Sequence, residues 1–233
     1  MFRRTFVLVL MIAVLAGCAA SKQARNVGMS GFLGDYSMLT KGEKGQELLR
    51  YNNPKAKWAT YKKIILDPVM IWRDSKIHEN IPEEDLQRLA DYLYSLLYEE
   101  LKMDYEMVNK PGPATLRLQV AIVSLERSNP TLATISAVPA PYNVLALGSM
   151  VTNMVSGKPL FVGEATIEGK VTDALTGELL GAAVDRRVGG KGPSEEKLTS
   201  WGDVEHALQY WAKNSKYRLC IARGEKTQCQ APE

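Results

Sequence analysis

The N-terminus constrains this chain more than any later stretch, because it decides in which compartment the rest must fold. Arg3 and Arg4 form a short positive region, and Thr5–Ala13 supply an apolar core too short to span a bilayer. Leu15-Ala16-Gly17-Cys18 then reads as a bacterial lipobox: small residues give a peptidase access to the backbone, and the Cys18 thiol takes a diacylglycerol. The alternative, an ordinary secretory signal with an incidental cysteine, is weaker because Cys18 sits where cleavage is expected. Residues 1–17 are therefore expected to be a lipoprotein signal peptide, with a membrane partner engaged through the lipid at Cys18. Ala19, rather than an acidic residue, follows the cysteine. In enteric-type sorting this points to the outer membrane, facing the periplasm.

Removal of the residues up to Gly17 leaves 216 and lowers the formal charge from +3 to +1, since Arg3 and Arg4 go with the signal. A near-neutral chain gives no electrostatic basis for nucleic acid as a partner. Cys18 is assigned to lipid, so Cys220 and Cys229 remain as an even pair, and in an oxidising compartment a disulfide closing a short C-terminal loop is expected. With only His78 and His206 and no C-x-x-C spacing, neither a zinc site nor a redox pair is indicated, and no cofactor is expected.

Residues 18–57 read as a lipidated tether. Ala19–Ser30 is small and polar, but Phe32, Leu33, Tyr36 and Leu39 form an apolar cluster that is expected to pack back on the domain. Residues 58–233 read as one α+β domain. Tyr61–Trp72 is a strand interrupted at Pro68, which cannot donate to a ladder. Pro82 and three following acids open a helix to Lys102, with Leu86, Leu89, Ala90, Leu93, Leu97 and Leu101 on one face. Tyr105–Val108, Thr115–Glu126, Leu160–Thr172 and Leu179–Val188 read as further strands, the last two joined by the turn Asp173–Glu178. Glu178, Asp185, Arg186 and Arg187 read as the solvated face of that hairpin. A second helix spans Ser200–Asn214, with Ser200 and Asp203 placed as in a capping box.

Ser128–Gly157 contains no charged residue. Three readings compete: a membrane helix over Val138–Val155, a loop followed by a buried helix over about Asn143–Val155, and an oligomer or lipid contact. Two prolines and several amides favour the buried helix. The expected fold is thus a mostly antiparallel sheet of about five strands packed with two main helices, plus this uncharged segment, with the helices on one face.

Catalytic motifs are missing. There is no G-x-S-x-G, no H-E-x-x-H and no phosphate loop, since Gly189-Gly190-Lys191-Gly192 lacks the spacing and reads as a linker. Asp67, Asp74, Asp173 and Asp185 could in principle form a carboxylate site, but nothing in their spacing pairs them. The expectation is a protein that is not an enzyme.

Three strings carry a family resemblance: Ser30-Gly31-Phe32-Leu33-Gly34-Asp35-Tyr36-Ser37, Leu49-Arg50-Tyr51, and Tyr61-Lys62-Lys63-Ile64-Ile65-Leu66-Asp67-Pro68-Val69. With them the chain resembles the bacterial lipoprotein family catalogued as domain of unknown function 3313, across the mature chain with weaker motifs after Leu101. The resemblance implies an envelope lipoprotein and brings no catalytic residues. Two functions follow as expectations: a non-catalytic binding or structural module with an envelope protein partner, or an oligomeric component of a transport or secretion assembly using Ser128–Gly157 as its contact. A hydrolase of envelope material is the least supported.

Overall fold

The structure is a computed structural model and describes residues 21–24, 26–72, 81–129, 162–189, 201–225 and 227–232. Cys18, Asp74, His78, Ser200 and all of the uncharged stretch beyond Asn129 lie outside the described residues.

Three long strands form the centre of the sheet: β7 (Thr115–Glu126), β8 (Glu164–Asp173) and β9 (Leu179–Val188). They run as an antiparallel meander, with Val120 opposite Gly169 and Gly169 opposite Ala183. Beyond β9 lie β3 (Leu49–Asn52) and β2 (Thr40–Lys41), both antiparallel, and β1 (Lys22–Gln23) pairs with the end of β9. Beyond β7 the pairing changes sense. β4 (Lys63–Leu66) and β5 (Met70–Ile71) run parallel to β7, and β6 (Glu106–Met107) runs parallel to β4. The parallel edge follows from connectivity. The helix α1 (Glu83–Leu101) lies between β4 and β7 in the chain, and a helical crossover returns the strand in the same direction.

Among the described residues the sheet therefore has nine strands of mixed sense, where five mostly antiparallel strands are expected. Of the four additional strands, β1, β2 and β5 have two residues each and β3 has four, too few to show an alternating pattern in sequence. The interruption at Asp67–Val69 between β4 and β5 falls at Pro68, as expected.

Both helices cover one face. Leu116, Leu118, Val120, Ile122 and Leu125 of β7 share a single core with the apolar stripe of α1 and with Val204, Ala207, Leu208 and Trp211 of α2 (Gly202–Ala222). The helices lie side by side and parallel, since Arg88 pairs with Glu205 at 2.8 Å near their starts and Glu100 with Lys216 at 3.2 Å near their ends. Among the described residues no helix is long and apolar enough to cross a membrane.

α2 continues eight residues past the expected end at Asn214. Ser215 returns its hydroxyl to the Trp211 carbonyl at 2.8 Å, and Leu219 and Cys220 are buried, so packing carries the helix to a stop at Gly224, whose φ is +89°. The expected capping box of Asp203 with Ser200 lies outside the described residues. Asp203 itself is buried and accepts the Gly163 N–H at 2.9 Å, tying the start of α2 to the start of β8.

The opposite face is covered by the segment after β1. Phe32 packs on Ala121, Val123 and edge-on against Trp72. Tyr36 donates to Glu168 at 2.5 Å and accepts the Gly31 N–H at 2.8 Å, while Ser30 N–H reaches the other Glu168 oxygen at 2.9 Å. Gly31 and Gly34 take φ of +93° and +79°, a region other residues enter at a cost, and so let the strap fold back on itself. Glu168 is 0% exposed beneath it.

Candidate functional site

A cavity of about 250 Å³ lies between the C-terminal half of α2 and the sheet. It exists because small residues meet the helix. Register places Leu118, Val171, Gly181 and Asn52 in one row across β7, β8, β9 and β3, and Val120, Gly169, Ala183 and Arg50 in the next. At the centre of both rows the side chains are missing or short, so Leu219 and Ala222 of α2 face a gap. Trp58, from the short 3-10 turn Trp58–Thr60, walls one side and stands over Gly181, its ring 3.5 Å from where a Cβ on that residue would lie.

The walls are mostly apolar and the polar groups gather at one margin, where Gln46, Glu47, Arg50, Asn214 and Arg218 meet. Glu47 is buried and accepts from Asn214 Nδ2 at 2.7 Å and Arg218 Nε at 3.0 Å, with Arg50 Nε 4.0 Å away. Arg218 also donates to the Gly45 carbonyl. Two guanidinium groups thus share one carboxylate at this margin, leaving a positive excess. Asn214 Oδ1 and Trp58 Nε1 are buried without a hydrogen-bond partner among the described residues.

Asp185 forms the deep polar end. It accepts from Trp211 Nε1 at 2.8 Å, Gln23 Nε2 at 2.7 Å and Leu48 N–H at 3.2 Å. Burial pushes its carboxyl above the ordinary carboxylate range, against the pull of those bonds and of the Arg187 charge. Arg187 stacks its guanidinium 3.5 Å from the Tyr210 ring centroid and donates to Ser21 Oγ at 2.9 Å and to the Ser21 carbonyl at 2.6 Å. Burial depresses the Arg187 value, opposed by Tyr210 and Asp185.

These positions correct the expected solvated face. Asp185 and Arg187 are only 3% and 8% exposed, because α2 covers their side of β9 and β1 covers its edge. Both partners come from the far ends of the chain, so local alternation of polar residues could not reveal the burial.

Of the other acids, the described Asp67 and Asp173 do not converge. Asp67 binds Arg117 at 2.8 Å and Gln119 at 2.9 Å, and Asp173 closes its own turn and receives the Tyr61 hydroxyl at 2.8 Å. Among the described residues no group of His, Cys, Asp and Glu is arranged to hold a metal ion. His206 is half-buried on α2. Cys220 and Cys229 are joined by a disulfide, with Cα atoms 5.7 Å apart, just beyond the cavity at the end of α2.

The fold and cavity define an α+β domain whose sheet carries paired helices on one face, a strap from its own N-terminal segment on the other, and an apolar hollow under the last helix. The chain belongs to the family described as protein of unknown function (DUF3313), whose model matches residues 29–215. It is 27% identical over 167 residues to the uncharacterized lipoprotein YdcL of Escherichia coli K12, covering 71% of this chain and 72% of that protein. That relative is described as a lipoprotein, the class expected of this chain. Solved structures of similar shape are remote in sequence. Protein XCC0632 of Xanthomonas campestris, of family DUF330, is 10% identical, with 76% of this chain and 94% of that one covered and a TM-score of 0.41. The PelC dodecamer subunit of Paraburkholderia phytofirmans is 9% identical, with 69% and 88% covered and a TM-score of 0.37.

Proposed function

We propose that this protein is a lipid-anchored lipoprotein of the outer membrane, facing the periplasm, that acts as a non-catalytic binding module and uses the cavity beneath α2 as its binding site. The cavity carries this reading: a mostly apolar hollow with a few convergent polar groups is the form that small-ligand sites take. The polar groups around it are engaged in fixing one another. Glu47 holds Arg218 and Asn214, and Asp185 holds Trp211 and Gln23, which suits recognition better than proton transfer.

Ala183 faces α2 from the same side of β9 as Asp185, so Ala183→Leu fills the hollow from the sheet side, next to Arg50 of the margin. Uptake of an apolar naphthylamine probe by the purified protein, followed by fluorescence, should fall at least tenfold in Ala183→Leu while the unfolding midpoint stays within a few degrees. Equal uptake by both proteins would refute the cavity as the binding site.

A further inference from the structure

The residues just after the anchor cysteine are built into the sheet. Lys22 and Gln23 pair with Val188 and Arg187, and Ala24 N–H donates to the Arg186 carbonyl at 2.8 Å. Ser21 is buried and gives two acceptors to the guanidinium of Arg187, while Gln23 reaches from β1 to Asp185 and to the Gln46 carbonyl at 2.6 Å. Strand pairing, a buried cation and a side-chain amide therefore fix the same four residues.

This placement limits reach. Three Cα steps separate Cys18 from Ser21, at most about 11 Å, whereas a free tether from Cys18 to residue 57 would span roughly 130 Å. Register shows which end of the domain is held. Lys22 lies beside Val188, Val188 beside Glu164 and Glu164 beside Glu126, and Gly163 binds Asp203 at the start of α2. The opposite end holds the turn after Asp173 and the disulfide at the end of α2, about 30 Å away along the ten residues of β8.

We propose that β1 is a clamp that stands the domain on the bilayer. The end formed by Val188, Glu164, Glu126 and the start of α2 faces the lipid headgroups, and the Asp173–Glu178 turn and disulfide are presented outward. The lipid at Cys18 is taken from the functional reading above. The clamp makes the module a membrane-surface reader: its partners are those that come within one domain's height of the bilayer, not components across the compartment.

The test uses the full lipoprotein in vesicles with acceptor-labelled headgroups and a donor on a ketone-bearing amino acid at Asn129 or at Leu175. Both positions are exposed, one at each end. The donor at Asn129 should be quenched several-fold more than the donor at Leu175. Ala24→Pro removes the N–H that pairs with Arg186 and lengthens the free tether toward Ser30, about 40 Å when extended, so the two efficiencies should converge while circular dichroism still shows a folded domain, its unfolding midpoint lowered because Arg187 and Asp185 lose Ser21 and Gln23. Equal efficiencies in the lipidated wild type, or a difference that survives Ala24→Pro, would overturn the clamp. An intact mass without diacylglycerol at Cys18 would instead overturn the anchored reading, and the stand with it.

Discussion

Trp211 on α2 donates its indole N–H to the Oδ2 of Asp185 on β9 at 2.8 Å, and this bond pins the middle of the helix to the sheet at the deep end of the cavity. Its value depends on what it satisfies. A buried carboxylate oxygen deprived of its donor costs about 1–3 kcal/mol, more than the bond gains when made. Trp211→Phe keeps a ring in place and removes only the donor. It should lower the unfolding free energy by about 1–3 kcal/mol, read from urea denaturation at constant slope.

Asp185 also makes stability fall with pH. Its folded-state value lies above the unfolded one, mainly through burial, so the folded protein holds the proton more tightly. That contribution is complete below about pH 4 and is lost as pH rises through the folded value. The stability of the wild type minus that of Asp185→Asn should therefore decrease from pH 4 toward neutrality. A difference that grows with pH would contradict the sign.

Asp173 should act in the opposite sense. Partial burial pulls its value up, but the Thr176 N–H at 2.9 Å, the Tyr61 hydroxyl at 2.8 Å and the Leu175 N–H at 2.8 Å outweigh it, and the net shift is downward. Stability from this group is present above the unfolded value and lost as pH falls through the depressed one. Asp173→Asn should cost about 1–2 kcal/mol at pH 7 and progressively less as pH falls below the unfolded value of about 4. The Tyr61 hydroxyl, pushed up to about 12 first by burial and then by Asp173, stays protonated throughout that range.

Much of this architecture was legible because burial was one-sided. α1 announces itself by leucines on one face behind Pro82, and β7 by Leu116, Leu118, Val120 and Ile122 against Arg117 and Gln119. Ala121 and Val123 interrupt that alternation, and they lie on a second buried face that the strap bearing Phe32 covers. The candidate site was not legible. Gly169, Gly181 and Ala183 read as ordinary strand residues until register aligns them opposite α2, and Asp185 and Arg187 looked solvated because their partners, Ser21, Gln23, Tyr210 and Trp211, lie far away in the chain.

The strap offers a local prediction. Tyr36 donates to the fully buried Glu168 and accepts from the N–H groups of Gly31 and Leu33, so Tyr36→Phe breaks three links at once. Amide exchange at Gly31 and Leu33 should accelerate at least tenfold, while exchange in α1 and β7 should change much less. The strap contributes one side of a small cluster, whereas α1 and β7 belong to the main core. Uniform acceleration across the domain would mean that the strap unfolds only with the whole.

The disulfide acts at the other end. Cys220 sits in the last turn of α2 and Cys229 nine residues on, so the bond closes a short loop and restricts the unfolded chain by about 2–3 kcal/mol on the loop-entropy model. The same region holds Arg223 4.7 Å from the Tyr105 ring centroid and paired with Asp104 at 3.4 Å, which binds the end of α2 to the segment after α1. Replacing both cysteines with serine should therefore lower stability by about that amount in urea without changing helix content, since Arg223 still holds the helix end. Unchanged gel mobility and thiol titre on reduction of the wild type would refute the pairing itself, and a loss of helix would show that the disulfide, not Arg223, sets the end of α2.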